Sequence, residues 1–278
     1  MLEKIRFLWE WDLTMFSLCV SLPSLTRKTG FFPDITYSFY KVWADLYRIP
    51  YECKKVDENF HIIKEDYYPE NGGVIFPNPN APTSIYEDLE FVEDIIRHNQ
   101  DVIVIVDEAY IDFAGESALS LLDKYDNLII TQTFSKARSM AGMRIGYAIA
   151  SPLLIKYLND AKYSFNSYTM NKTSLVYGAE AVKDKEYFAE TTRKIVETRD
   201  WAEEEFKKLG FVFPKPSANF IFVSHPEYDA KELFEAMKAK GIYVRFWGSE
   251  RIEQYLRVTI GTREEMEALF AFLREYMM

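Results

Sequence analysis

Cysteine is nearly absent. Cys19 and Cys53 are the two in the chain and show no Cys-x-x-Cys spacing, so neither a disulfide framework nor a zinc ribbon can be built. Histidine is almost as scarce: His61, His98 and His225 stand too far apart to form a paired-histidine metal signature, and they read as ordinary polar residues. Glycine and proline number 11 each, which excludes collagen-like and low-complexity chains. Basic residues are in deficit, with 33 Lys and Arg against 43 Asp and Glu. The net charge of −10 leaves no broad electrostatic footprint for nucleic acid, although a local basic pocket for a small anion stays compatible with it. Long apolar runs are missing too. Lys4 and Arg6 precede a mostly apolar stretch at 13–22 in the manner of a secretory signal. Glu10 and Asp12 stand before that stretch, no small-x-small cleavage site follows it, and it is too short to span a bilayer. A cytoplasmic protein with no metal, nucleic-acid or membrane partner is the expectation.

What the chain does contain is core-forming mass. Hydrophobic residues make up 48% and aromatic residues 16%, enough to fill two modest domains and to spare rings for ligand stacking. From Phe31 onward the pattern is regular. Short apolar runs at 73–76 (GVIF), 102–106 (VIVIV), 128–130 (LII) and 145–149 read as strands, the β-branched VIVIV run as one buried on both faces. Helical patterns at 39–48 and 85–99 and a turn-rich stretch at 77–83 lie between them. Strands alternating with helices predict an α/β fold, a three-layer, mostly parallel sheet. After a long charged helix at 184–209 the order changes, with strands expected at 211–213, 219–223, 242–245 and 255–260 and helices at 230–240 and 264–276. This predicts an atypical segment at 1–30, a large domain at 31–184 and a smaller C-terminal α+β domain at 185–278.

The residues able to do chemistry sit at strand ends, where open α/β sheets hold their ligands. Asp107 closes the VIVIV strand and is followed by Glu108, Ala109 and Tyr110. Thr133, Phe134, Ser135 and Lys136 follow the next strand, and Arg144 comes shortly after. Taken singly, Asp107 is readable as a surface carboxylate and Lys136 as a solvated loop lysine. Together, a carboxylate, a lysine flanked by hydroxyls and an arginine suit one anionic heteroaromatic cofactor. No Gly-x-Gly-x-x-Gly follows a strand, which disfavours a dinucleotide dehydrogenase.

The segments FPDITYSFY (32–40), NPNAPT (78–83), VDEAYIDF (106–113), TFSKARSMAGMRIGYA (133–148) and LRVTIGTREEM (256–266) together resemble the fold-type I pyridoxal-phosphate-dependent aminotransferases of class I/II, and among them the histidinol-phosphate branch. The resemblance spans residues 31–278 and implies pyridoxal 5'-phosphate as cofactor. Transfer of the amino group of histidinol phosphate to 2-oxoglutarate is the implied reaction, giving imidazole acetol phosphate and glutamate, in a homodimer. It assigns Lys136 to covalent attachment of the cofactor and to proton transfer. Asp107 would pair with the ring nitrogen, Tyr110 with the ring oxygen, and Tyr37 would stack on the ring face. Thr133, Ser135 and Arg144 would hold the phosphate, and Arg257 the α-carboxylate of the amino acid. Arg245 is the candidate for the substrate's own phosphate, and reads alternatively as a solvated strand-end charge. Relatives carry Asn just before Pro-Thr, but this chain has Ala81 there, so Asn80 beside it, or Asn78, is expected to substitute. A decarboxylase of a phosphorylated amino acid such as threonine phosphate shares these motifs, and a non-catalytic remnant would retain them.

Before FPDITYSFY the family carries a glycine-containing phosphate loop and an arm to the neighbouring subunit, and none of residues 1–30 reads as either. Read from the third base of each codon, Trp9–Glu10 and Trp11–Asp12 both force glycine, and the stretch can then be spelled L-F-V-G-(M/V)-G-S-D. Residues 6–28 are therefore expected to be a frame-shifted version of that loop. A phosphate cradle without its loop amides loses several charge-assisted hydrogen bonds, so weak cofactor retention and impaired transamination are expected.

Overall fold

The computed structural model describes residues 6–10 and 28–278. The frame-shift reading and the signal-like run fall mostly on residues 11–27, outside the described residues. In chain order the first part contains β1 (Arg6–Glu10), β2 (Gly30–Pro33), α1 (Phe39–Leu46), β3 (Tyr51–Lys54), β4 (Val74–Pro77) and α2 (Leu89–His98). It continues with β5 (Val104–Asp107), β6 (Leu128–Thr133), β7 (Gly146–Ala150), α3 (Pro152–Phe165) and α4 (Lys172–Lys183).

These strands form one seven-stranded sheet in the order β1-β7-β6-β5-β4-β2-β3. Strands β3, β2, β4, β5 and β6 are parallel, while β7 runs antiparallel to both β6 and β1. The central strands are continuous apolar runs because helices cover both faces. Val74, Phe76, Val104, Val106, Leu128 and Ile130 point into one core, shared with Val92, Ile95 and Ile96 of α2. The alternate residues Ile75, Ile105 and Ile129 point into the other, against Tyr40 and Trp43 of α1 and Leu154, Ile155 and Leu158 of α3. Helix α2 starts where it does because the Asp88 carboxylate accepts from the Phe91 amide (2.8 Å). The expected three-layer α/β architecture is what the chain adopts.

The remainder forms a second, antiparallel sheet. Helix α5 (Lys185–Lys208) leads to β8 (Phe220–Val223), α6 (Ala230–Ala239), β9 (Arg245–Phe246), β10 (Leu256–Thr259) and α7 (Arg263–Tyr276). The strand order is β8-β10-β9. Its core joins Phe206, Ile221, Leu233, Val258, Leu269 and Phe270. The strand expected at 211–213 reduces to a single bridge between Val212 and Ser224, because Pro214 and Pro216 follow and cannot donate to a ladder. Helices α3 and α4 have no counterpart among the sequence expectations. Their apolar residues point outward as well as inward: Leu153, Tyr157 and Tyr163 on α3 and Leu175, Val176, Tyr177 and Val182 on α4 are exposed. That blurs the one-sided stripe by which a helix is read.

For the site, register is what matters. Pro77 of β4, Asp107 of β5 and Thr131 of β6 are direct neighbours across the ladder, so three strand ends open on one crevice. Ile105 sits at the centre of the sheet and is 1% exposed. Ile105→Ala should lower the unfolding free energy by about 2–5 kcal/mol in urea denaturation, and a loss below about 1 kcal/mol would contradict this packing.

Candidate active site

Asp107 is buried at the end of β5. Its Oδ1 accepts from the Ala109 amide (3.1 Å) and its Oδ2 from the Tyr40 hydroxyl (2.8 Å). Tyr40 is wholly buried on α1. Burial first, and then the negative charge of Asp107, push the Tyr40 hydroxyl well above the usual tyrosine range, so it stays a neutral donor. The turn after Asp107 is fixed from behind. Glu108 accepts from Ser117 Oγ (2.6 Å), the Ala118 amide (2.7 Å) and Gln132 Nε2 (2.7 Å), while the Tyr147 hydroxyl donates to Gln132 Oε1. Burial raises the Glu108 carboxyl and those three donors oppose the rise.

The lysine turn hangs from the end of β6. Thr133 Oγ1 donates to the Ile145 carbonyl (3.3 Å) and accepts from the Ser135 amide (3.0 Å), and buried Phe134 anchors the turn. Lys136 Nζ comes 5.2 Å from the centre of the Tyr110 ring, and Tyr110 stands edge-on to Phe220. Arg144 is held in the left-handed backbone region (φ 54°), which a side-chain-bearing residue adopts only where the surroundings enforce it.

The arginine end comes from the second sheet. The Arg257 guanidinium lies between the rings of Phe220 (5.0 Å) and Trp247 (5.5 Å). Its Nε is buried without a hydrogen-bond partner, and it makes no ion pair among the described residues. Burial, and to a smaller degree the charge of Arg245, pull its pKa downward. An arginine nevertheless remains charged in a protein, so this site calls for an anion. Arg245 is exposed, directly opposite Arg257 in the β9–β10 ladder, with its guanidinium 5.3 Å from the Trp247 ring.

One cavity of about 240 Å³ gathers Tyr37, Asp107, Tyr110, Thr133, Lys136, Arg144 and Arg257. Ser135 and Arg245 do not line it. Neither does Asn80, whose amide is spent inside the protein. Its Nδ2 donates to the Ile35 carbonyl (2.9 Å) and to Thr83 Oγ1 (3.0 Å), and its Oδ1 accepts from Thr36 (3.0 Å). Asn80 therefore fastens the segment leading to Tyr37, and Ala81 is the residue of that stretch on the cavity wall. Three participants escaped sequence reasoning. Tyr40 and Trp43 follow Tyr37 at three-residue spacing, a helical signal that was available. Thr131 lines the cavity with a buried Oγ1 that has no partner among the described residues, and nothing in the sequence singles it out.

These residues fit a planar heteroaromatic group that is anionic at one edge and carries a carbonyl. A carboxylate stands at one end and an amine at the wall, with Thr133 and Arg144 nearby, and Thr131, whose buried Oγ1 has no partner among the described residues, belongs to the same lining. The fold is that of an aminotransferase: residues 21–273 match the family described as aminotransferase class I and II, and the chain belongs to it. Among its relatives, the histidinol-phosphate aminotransferase of Lactococcus lactis subsp. lactis is 46% identical over 245 residues, 88% of this chain and 68% of that protein. The one from Pseudomonas putida is 49% identical over 238 residues, 86% of this chain and 68% of that protein. The crystal structure of the histidinol-phosphate aminotransferase from Clostridium acetobutylicum superposes with a TM-score of 0.88 at 21% identity, covering 99% of this chain and 84% of that one. That of L-threonine-O-3-phosphate decarboxylase from Porphyromonas gingivalis gives 0.81 at 16% identity, with 97% and 83% covered. At those identities the likeness is one of fold.

The Tyr40–Asp107 bond generates a pH prediction. Tyr40 stays neutral in the folded chain while an unfolded tyrosine ionises near pH 10, so stability must fall as pH rises past about 10. Tyr40→Phe removes that contribution and should cost about 1–3 kcal/mol at neutral pH, because the buried carboxylate loses a donor. Between about pH 9 and 11 the variant should lose stability less steeply than the parent in chemical denaturation. Equal slopes would contradict the assignment.

Proposed function

We propose that this chain is a pyridoxal-phosphate-dependent aminotransferase that exchanges the amino group of histidinol phosphate with 2-oxoglutarate, giving imidazole acetol phosphate and glutamate. The observation that carries the reading is the convergence of Lys136, Asp107, Arg144 and Arg257 on one cavity in a chain of this family. The identity of 46% and 49% to histidinol-phosphate aminotransferases supports the choice of substrate.

Bound pyridoxal phosphate supplies a carbonyl for amine condensation and a ring that accepts electrons from the substrate's Cα–H bond. Everything else falls to the residues. Lys136 would hold the cofactor through Nζ and would serve as the acid–base group that moves the substrate's Cα proton. Asp107, held by Tyr40 and the Ala109 amide, keeps a proton on the ring nitrogen. Tyr110 serves the ring oxygen, and Tyr37 covers the ring face. Thr133 and Arg144 on the cavity wall would receive the cofactor phosphate, with Ser135 in the same turn behind them and the forked Arg144 guanidinium as the main cation. Arg257 takes the α-carboxylate of glutamate or 2-oxoglutarate, and Arg245 the phosphate of histidinol phosphate. Asn80 contributes by fixing the Tyr37 segment.

Two structural parts share this work, residues 31–184 around the large sheet and residues 185–278 around the small one. The exposed apolar side chains of α4 (Leu175, Val176, Tyr177, Val182) support a homodimer in which a second copy covers this face. Among the described residues no helix is long and apolar enough to cross a membrane. The scarcity of cysteine supports a cytoplasmic setting.

The test follows glutamate formation from histidinol phosphate and 2-oxoglutarate, with L-threonine O-3-phosphate as the competing substrate. We expect glutamate from the first, no carbon dioxide from the second, and a fall of at least about 10³-fold in kcat/KM for Lys136→Ala. Carbon dioxide release without amino transfer would replace this reading by the decarboxylase one. A chain inert toward both would make it a non-catalytic relative.

A further inference from the structure

The cavity is assembled from two sheets, and one side chain ties them together where it matters. Arg251 lies in the segment 247–255 that connects β9 to β10, the strands carrying Arg245 and Arg257. Its guanidinium reaches across to the other sheet and makes three bonds there. Nη1 donates to Asp34 Oδ2 (2.9 Å), and Nη2 to the carbonyls of Val56 (2.8 Å) and Asp57 (2.9 Å). Asp34 is itself a junction: its Oδ1 accepts from the amides of Ile35 (2.9 Å) and Val56 (3.0 Å). Three residues on stands Tyr37, which lines the cavity. The segment between is pinned from its other side by Asn80.

Two further observations point the same way. Arg251 is held at φ 72°, in the left-handed region, and Phe60, which packs on the same segment, at φ 69°. Side-chain-bearing residues stay in that region when their surroundings over-determine them. Apolar contacts meanwhile glue the two parts: Phe60 stands edge-on to Tyr255 (5.1 Å) and Phe222 (5.7 Å), and Ile252 is buried in the same cluster. Such contacts are non-directional and tolerate sliding, whereas a guanidinium fork with three fixed acceptors does not. Segment 247–255 also begins with Trp247, the ring on which both Arg245 and Arg257 rest. Fixing Arg251 therefore fixes the platform of the arginines relative to Tyr37.

We propose that Arg251, acting through Asp34, is a positioning residue that sets the separation between the anion-binding arginines and the Tyr37 face of the cavity, and so determines affinity for anionic substrates. This rests on the reading that Arg257 and Arg245 receive the substrates' anionic groups. The test uses the pyridoxal-phosphate-loaded chain and compares Arg251→Met, Arg251→Lys and Asp34→Asn with Arg257→Met. Arg251→Met should raise KM for both 2-oxoglutarate and histidinol phosphate by about 10- to 100-fold, while kcat moves less than about threefold and cofactor absorbance is unchanged. Asp34→Asn should do the same more weakly, and Arg251→Lys should fall between Met and the parent. Should Arg251→Met fail to fold, the Asp34→Asn and Arg251→Lys pair decides. Unchanged KM in the Arg251 and Asp34 variants, with KM raised in Arg257→Met, would overturn the positioning role and leave the arginine reading intact. Unchanged KM in Arg257→Met would overturn the arginine reading itself, and this inference with it.

Discussion

A carboxylate held below the protein surface organises this molecule's chemistry. Asp107 closes a strand whose other residues are all apolar, and it is kept there by the Tyr40 hydroxyl and the Ala109 amide. Burying a charge is costly unless it is hydrogen-bonded. The parallel register of β4, β5 and β6 lets the sheet place that charge at the mouth of a crevice with Pro77 and Thr131 as its neighbours. The Glu108 network stiffens the turn after Asp107, and the Asn80 bonds fix the segment leading to Tyr37. On the proposed function, that rigidity would hold a cofactor ring in one plane against Asp107.

The cations answer to a second constraint. A chain with a net charge of −10 has little positive field to spare, yet Lys136, Arg144 and Arg257 meet at one cavity. Local focusing of this kind is how an acidic protein attracts small anions. Arg257 shows the cost most plainly: its guanidinium lies over the Phe220 and Trp247 rings, with a buried Nε that nothing among the described residues satisfies. Such a group is stable where an anion completes it, which is what a carboxylate or phosphate substrate provides.

Much of this was legible in the sequence because buried parallel strands advertise themselves. VIVIV and LII could be placed, and with them Asp107, Thr133 and Lys136, since active residues of open sheets stand just beyond such runs. Strand direction was not legible. Nothing in GYAIA marks β7 as antiparallel, because alternation of side chains is the same either way. Helices α3 and α4 were hidden by apolar residues on their outer faces. Asn80 was legible as an amide near the site but not as one consumed by Ile35, Thr36 and Thr83, and Arg251 gave no local sign of reaching Asp34. Long-range polar pairing depends on how the two sheets dock, which periodicity does not encode.

On the proposed mechanism Lys136 would carry the cofactor opposite Asp107. Borohydride reduction of the pyridoxal-phosphate-loaded chain, followed by peptide mass spectrometry, tests it without reference to turnover. A single pyridoxyl-phosphate adduct on the peptide containing Lys136 is the expected result. An adduct on another lysine, or none on a chain that retains its fold, would contradict it.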